Sequence, residues 1–489
     1  MGTYQSPLEG RYASPEMLHL FSPNKKFSTW RKLWVALAEA EQELGLNIKP
    51  EQIEELKQHI YDINYEVADA REREVRHDVM AHVYAYGQQC PQAAGIIHWG
   101  ATSCYVTDNT DILIIREGLE LIKVKLLGVI RNLMMFADKY KDMPALGFTH
   151  GQPATPTTVG KRATLWLQNF MENFEELQFV ESRIKLLGCR GATGTSETFM
   201  KLFGGDEDKV KELDELIATK MGFPKHSNGG IQWYRTWQVS GQTYPRNFDI
   251  QVMNVLANIT VSAYKMANDI RFLQHDKELE EPFGKEQIGS SAMPYKRNPM
   301  RSERICSLAR YVQNEARNGY DTANVQWLER TLDDSANRRL SLPECFLGTD
   351  AVLIICANVT DGIVVYPAVI QKHLEAELPF MVAEDIIMLL VEKGYDRQDA
   401  HKWVRDYAME AGQAVKQEGK DNPMIELITE DREFRKLVTK EELLELMDPQ
   451  KLTGRCAGQV RDYLDQCVKP FLLSKRELLE KGFDSELKV

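Results

Sequence analysis

Over residues 108–140, apolar side chains return every three or four positions: Ile112, Ile115, Leu119, Ile122, Leu126, Ile130 and Leu133. That spacing lines them up on one stripe of an α-helix. Asp108, Asn109 and Thr110 offer side-chain acceptors for the helix start. A helix of about 30 residues is roughly 45 Å long, a length that suits a bundle. The same period recurs over 157–187, 246–277, 301–317 and 342–363, whereas period-two runs are almost absent. The pattern predicts an all-α chain built on a central bundle of five long helices.

The flanks read differently. An amphipathic segment at 30–44 and a charged run at 68–77 precede the bundle, and short helical patterns separated by polar turns (GKDNP, DPQKLTG) follow it. A chain of 489 residues carries about three domains by length alone. The expected division is an N-terminal helical domain 1–106, the bundle 107–365, and a C-terminal helical domain 366–489. No internal repeat or low-complexity segment interrupts them.

Composition narrows the function classes. Hydrophobic residues make up 43% and charged residues 27%, ordinary for a chain that packs its own core. The net charge of −12 argues against nucleic acid as a partner, because a phosphate backbone needs a basic surface. A small phosphorylated ligand remains open, since one pocket can be basic on an acidic protein. The eight cysteines are scattered without a CxxC pair, so neither a disulfide framework nor a zinc ribbon is expected, and reduced thiols fit a cytosolic protein. The N-terminal MGTYQSPLEGRYAS has no apolar signal region. Its Gly2 and Ser6 fit an acylation pattern, but no polybasic support accompanies them. No stretch approaches 18 uninterrupted apolar residues, so no membrane span is expected.

The chemistry-bearing residues concentrate in irregular segments. Residues 289–299 read GSSAMPYKRNP. Glycine and two prolines keep this stretch out of regular structure, yet it holds two hydroxyls, two cations and an amide between helices. That is the composition of a functional loop on a rigid scaffold; the plain alternative is a solvated linker. The Gly-rich GCRGATGTSE (188–197) resembles a phosphate loop only loosely, because no strand precedes it, and a turn after a helix explains it equally well.

The 289–299 segment resembles the signature loop of the fumarase/aspartase superfamily of lyases, with each fixed position of GSSxMPxKxNP met. Its continuation, MPYKRNPMRSER (293–304), is similar to the adenylosuccinate lyase family. RHDVMAH (76–82), HWGATS (98–103), GFTHGQPATPTTVGKR (147–162) and ERTLDDSANRR (329–339) are similar to that family's other active-site regions, in the same order. The likeness runs from about Arg11 into the C-terminal region. One departure is FPKHSNGGIQWYRTW (223–237), longer and more aromatic than the family pattern.

The resemblance implies a fumarase/aspartase-like fold and elimination of fumarate from a nucleotide-bearing succinyl-amine, acting on adenylosuccinate and on a succinyl-carboxamide ribotide of purine synthesis. Such a reaction takes a proton from a carbon next to a carboxylate and protonates a nitrogen leaving group. It needs one base, one acid and stabilisation of the charge in between, with no metal or other cofactor. Carried over by motif, Ser290 is the general base, Lys296 its activating charge, and His150 the general acid, with His77 as companion. Asn298 and Lys296 would hold the succinyl carboxylate, and Glu303 would support His150 or Lys296. Substrate binding falls to Arg11, Tyr12, Arg76, Asp78, Thr102, Ser103, Gln242, Arg304, Arg330, Ser335 and Arg339. The arginines suit a ligand with a phosphate and two carboxylates. His98 is a further candidate; His19, His59, His82, His226, His275, His373 and His401 read as structural. The family's homotetramer, with each site drawn from three subunits, is the implied assembly, in the cytoplasm. Two competing readings stand beside this one. The first is a sister lyase acting on argininosuccinate, aspartate or malate. The second is a non-catalytic protein on the same scaffold, as some lens crystallins are.

Overall fold

The structure, a computed structural model, describes residues 2–223, 234–284 and 286–487. Three helices matter before the bundle begins: α1 (Pro23–Glu43), α2 (Tyr65–Val75) and α3 (Asp78–Gln89). α1 buries Trp30, Leu33, Trp34 and Leu37, the apolar face of the segment at 30–44. The charged run at 68–77 falls in α2 and the turn after it.

Five long helices follow: α4 (Ser103–Lys139), α5 (Val159–Ser182), α6 (Asn247–His275), α7 (Met300–Glu315) and α8 (Asp333–Asp361). α4 packs on α5, α5 on α6, α6 on α7, α7 on α8 and α8 back on α4, and α6 also touches α8. The expected all-α bundle is present, and its 37-residue α4 is about 55 Å long.

Two sequence expectations need correction. The fifth helix starts at Asp333, not near 342, and carries Pro343 inside it. Period-two pairing is scarce but present: three antiparallel two-residue ladders pair Pro144–Ala145 with Thr157–Thr158, Phe148–Thr149 with Gln152–Pro153, and Leu279–Glu280 with Val364–Val365.

α8 is long and apolar enough to cross a membrane by composition, but 83% of its apolar window is buried inside the molecule. It packs against α4, α6 and α7. Its Asp350 is paired with Lys125 of α4. Lys125 also donates to the Ser14 hydroxyl (2.8 Å), and Asp350 accepts from the Ser14 N–H (2.7 Å). All three groups are buried, so a charge-assisted network fixes the N-terminal segment around Tyr12 against the bundle.

Two apolar cores result. The larger joins the N-terminal helices, the bundle and residues 460–472; the smaller is formed by Val382, Ile386, Leu390, Val404, Phe434 and their neighbours.

Candidate active site

The residues singled out by sequence fall into three groups within one chain, with His150 apart from them. The first lies where the N-terminal ends of α3, α4, α6 and α8 meet. His77 caps α3, its Nδ1 accepting from the Met80 N–H at 3.4 Å, and its Nε2 lies 3.3 Å from the Ser103 hydroxyl at the start of α4. Thr102 is the N-cap of α4. Asp78 pairs with Arg339 of α8 at 3.3 Å. Arg76, before them, sits in the left-handed region. Gln242 donates its N–H to the Glu329 carbonyl (3.0 Å) and its Nε2 to the Ala192 carbonyl (3.1 Å). Gly241 is required there, because a Cβ would collide with the Glu329 carbonyl. Arg330 pairs with Asp334 at 2.8 Å, and Ser335 lies in the first turn of α8. Converging helix N-termini bring their positive dipole ends to one place, an arrangement that favours an anion.

His98 belongs to this group. Trp34 Nε1–H donates to its Nδ1 at 2.9 Å. Burial, with the nearby His77, pushes its pKa down to about 4, so it is neutral at pH 7 and carries its proton on Nε2. Its φ of 65° is uncommon outside glycine.

The second group lines a cleft of about 410 Å³. Arg11 and Tyr12 form one wall and Arg304 of α7 the other, with the Arg304 guanidinium 5.5 Å from the Tyr12 ring centre. Asp484 and Glu486 also border it.

The third group is the 289–299 loop. The Ser290 hydroxyl accepts from the N–H groups of Ala292 (3.3 Å) and Met293 (3.1 Å). Asn298 closes the loop by donating to the Gly289 carbonyl at 2.8 Å. The loop doubles back so tightly that a Cβ on Gly289 would collide with the Lys296 carbonyl. Arg297 is tied to Glu280 at 3.1 Å, while Ser290 is half-buried and Lys296 exposed. Behind the loop, buried Glu281 caps α7, accepting from the N–H groups of Arg301 (2.9 Å) and Ser302 (2.8 Å) and from the Ser302 hydroxyl (2.9 Å). Burial raises its pKa against the pull of those donors. Glu303 is exposed on the first turn of α7, and among the described residues it makes no hydrogen bond to His150 or Lys296.

His150 stands apart at the tip of the Phe148–Pro153 hairpin. It and Gly151 have φ of 54° and 70°, the pair of left-handed residues that a tight two-residue hairpin turn requires. The turn presents the imidazole to solvent.

The first group and the 289–299 loop do not form one site within a single chain. Arg339 marks the first group on α8, and Asn358 of the same helix receives Arg301 at 2.9 Å, beside the loop. Arg301 also reaches Gln287 at 3.0 Å, two residues before Gly289. Nineteen residues of α-helix separate Arg339 from Asn358, about 28 Å. No small substrate spans that distance.

Sequence reasoning missed the buried pairs behind the first group: Asp108–Arg246–Asp334 and Arg338 with Asp249 and Asp111. The signal was present in ERTLDDSANRR, where charges recur at helical spacing, but pairing is not visible in a sequence. The Gly-rich 188–197 stretch is backbone support, since its Arg190 is held by Asp214 (2.6 Å) and its Ala192 carbonyl holds Gln242. The 223–237 departure, with His226, lies for the most part outside the described residues. His82 is structural: it stacks on Phe27 at 3.7 Å and is held neutral by burial, its pKa near 4.

A family profile described as "Lyase" matches residues 13–314, and one described as "Adenylosuccinate lyase C-terminus" matches 379–463. The chain is 48% identical to adenylosuccinate lyase of Schizosaccharomyces pombe over 98% of this chain and 97% of that one. It is 48% identical to the Saccharomyces cerevisiae protein of the same name over 95% of each. Its fold is shared with a fumarate lyase from Mesorhizobium sp. BNC1 (TM-score 0.78, 24% identity, 93% of this chain and 99% of that one). It is shared equally with a 3-carboxy-cis,cis-muconate lactonizing enzyme from Pseudomonas putida (TM-score 0.80, 22% identity, 95% and 99%).

Proposed function

Because the chain belongs to the adenylosuccinate lyase family, we propose that its three groups of residues are parts of one active site completed between subunits. The reaction is elimination of fumarate from adenylosuccinate, leaving AMP. The observation that carries the shared site is the separation of about 28 Å along α8 between the His77–Arg339 end and the Ser290 loop. Exposed apolar side chains on the bundle support the assembly: Leu165 and Phe179 on α5 and Val261 and Phe272 on α6, the last 73% exposed. Long helices with such faces bury them against further helices. A homotetramer in the cytoplasm, the family's arrangement, fits this geometry. The division 1–106, 107–365 and 366–489 serves as its domain frame; the separate core around Val382–Phe434 favours a distinct C-terminal part, while residues 460–472 pack back into the bundle core.

In this reading Ser290 removes the proton next to the succinyl carboxylate. Two backbone N–H groups already point at its oxygen, and donors aimed at an oxygen favour its charged form. Lys296 adds positive charge, so the hydroxyl becomes a usable base. Asn298 and Lys296 hold the carboxylate as it gathers charge. His150 protonates the departing nitrogen, and His77 with Ser103 orients the substrate beside it. Arg330, Ser335 and Arg339, at the helix N-termini, and Arg11, Tyr12 and Arg304, at the cleft, bind the phosphate and carboxylates. Arg76, Asp78, Thr102 and Gln242 complete the binding surface. The same chemistry fits the succinyl-carboxamide ribotide.

The test is fumarate release, followed by absorbance with adenylosuccinate in the presence of a chelator. Turnover is expected with both substrates. Activity lost to the chelator and restored by a divalent ion would overturn metal-free chemistry, and absence of turnover by pure, assembled protein would revive the non-catalytic alternative.

A further inference from the structure

Behind the substrate-binding end of the bundle lies a chain of alternating charges that the reaction itself does not use. Arg246, just before α6, donates Nε to Asp334 Oδ2 at 2.7 Å and its two Nη groups to the Asp108 carboxylate at 2.9 and 3.2 Å. The other oxygen of Asp334 accepts from Arg330 Nη1 at 2.8 Å. Asp108, Arg246 and Asp334 are buried, Asp334 completely; Arg330 sits at the edge, its side chain 22% exposed. Burial alone would raise the Asp334 carboxyl, but Arg246, Arg330 and Arg338 outweigh it and hold it below the usual range.

The arrangement joins three helix starts. Asp108 is in the second turn of α4, Arg246 precedes α6, and Asp334 opens α8. Asp108 also accepts from the Tyr244 N–H at 3.0 Å, two residues from Gln242. Arg330 follows Glu329, whose carbonyl takes the Gln242 N–H. Arg330 itself lies outside the helix, in a turn. An arginine there samples many rotamers unless something restrains it, and a ligand that must freeze it binds more weakly. Asp334 supplies the restraint on one donor and leaves the others: among the described residues the remaining side-chain N–H groups of Arg330 make no hydrogen bond.

We infer that Asp334, itself locked by the forked Arg246, is the positioning residue that aims Arg330 at the anionic end of the substrate. This rests on the reading of Arg330 as a substrate ligand given above. Arg246 is suited to the task because its planar fork holds two carboxylates at fixed angles, which a lysine cannot do.

A double-mutant cycle tests the assignment in the assembled enzyme. Asp334→Asn keeps the shape but leaves a single acceptor oxygen for two guanidinium partners. It is expected to raise KM for adenylosuccinate about tenfold with kcat within about twofold, since orientation and not proton transfer is lost. Arg330→Ala should raise KM at least as much. In the Arg330→Ala background, adding Asp334→Asn should change KM by less than about twofold, because there is no guanidinium left to aim. Equal effects in both backgrounds would overturn the inference and leave Asp334 as a support of the fold. An unchanged KM in Arg330→Ala alone would instead overturn the substrate-ligand reading, and the positioning role with it. Should Asp334→Asn not yield folded enzyme, Asp334→Glu keeps charge and both acceptors one methylene out of place; raised KM with preserved kcat supports the assignment, and unchanged KM overturns it.

Discussion

Ser290 and His150 both sit where a side chain is held out by its backbone: one in a loop closed by Asn298, the other at a hairpin tip. Neither contributes to a core, so Ser290→Ala and His150→Ala should leave the assembled fold intact. Each should lower turnover by about 10²–10⁴, the range for losing a positioned base or acid. A substrate analogue with a better leaving group should partly rescue His150→Ala and not Ser290→Ala; near-native turnover in Ser290→Ala would move the base to His77 or Ser291. A different residue bears on how stability varies with pH. Glu41 is fully buried on α1 with both carboxylate oxygens unpaired among the described residues, and burial pushes its pKa up to about 9. In the folded state it keeps its proton up to that pH, while unfolded it loses it near 4.5. Unfolding therefore releases a proton between those values, and stability falls as pH rises through the window. Glu41→Gln, which does not titrate, should melt higher than the parent at pH 8 and near it at pH 4.5, with at most about 1.4 kcal/mol gained per pH unit. Equal melting differences at both pH values would count against a protonated Glu41. At this scale the candidate catalytic residues could be named from their motifs, whereas Glu41 looked like one more charge in an amphipathic helix.

The elements were legible where apolar side chains make the contacts. α4 buries Ile112, Ile115, Leu119, Ile122, Leu126, Ile130 and Leu133, the stripe that its period marks. The start of α8 was not legible. Its first turns bury Asp334 and Arg338, a polar face that leaves no apolar period, and Pro343 in the third turn looks like a helix start. Likewise, the ladders beside the loop and the His150 hairpin are two residues long, too short for any alternation. The 289–299 loop was recognisable by composition, but not the reason for its first glycine. Gly289 lets the two arms of the loop approach within backbone contact. Gly289→Ala should therefore force the arms apart and displace Ser290, lowering kcat about 10²-fold or more. The melting temperature should move by no more than about 2 °C, because the loop is exposed. A large fall in melting temperature with normal kcat would show that the loop supports the fold instead.

For the whole molecule, the decisive quantity is the distance that α8 imposes between its two ends. On the proposed assembly, a site takes Ser290 from one chain and His77 from another. Mixing Ser290→Ala with His77→Ala chains in equal amounts, unfolding and reassembling them, should restore about a quarter of native activity, the fraction of sites that draw both native residues by chance. No recovery in verified mixed tetramers would place both residues in one chain's site. The resemblance implied a site shared between subunits, but which parts lie out of reach of one another within a chain follows only from the length of the folded helix. The same geometry reaches into inheritance. A cell with two differently damaged copies of the gene would assemble some fully equipped sites, whereas a cell with the same damage twice would assemble none, so the severity of a defect would depend on its companion allele as much as on itself.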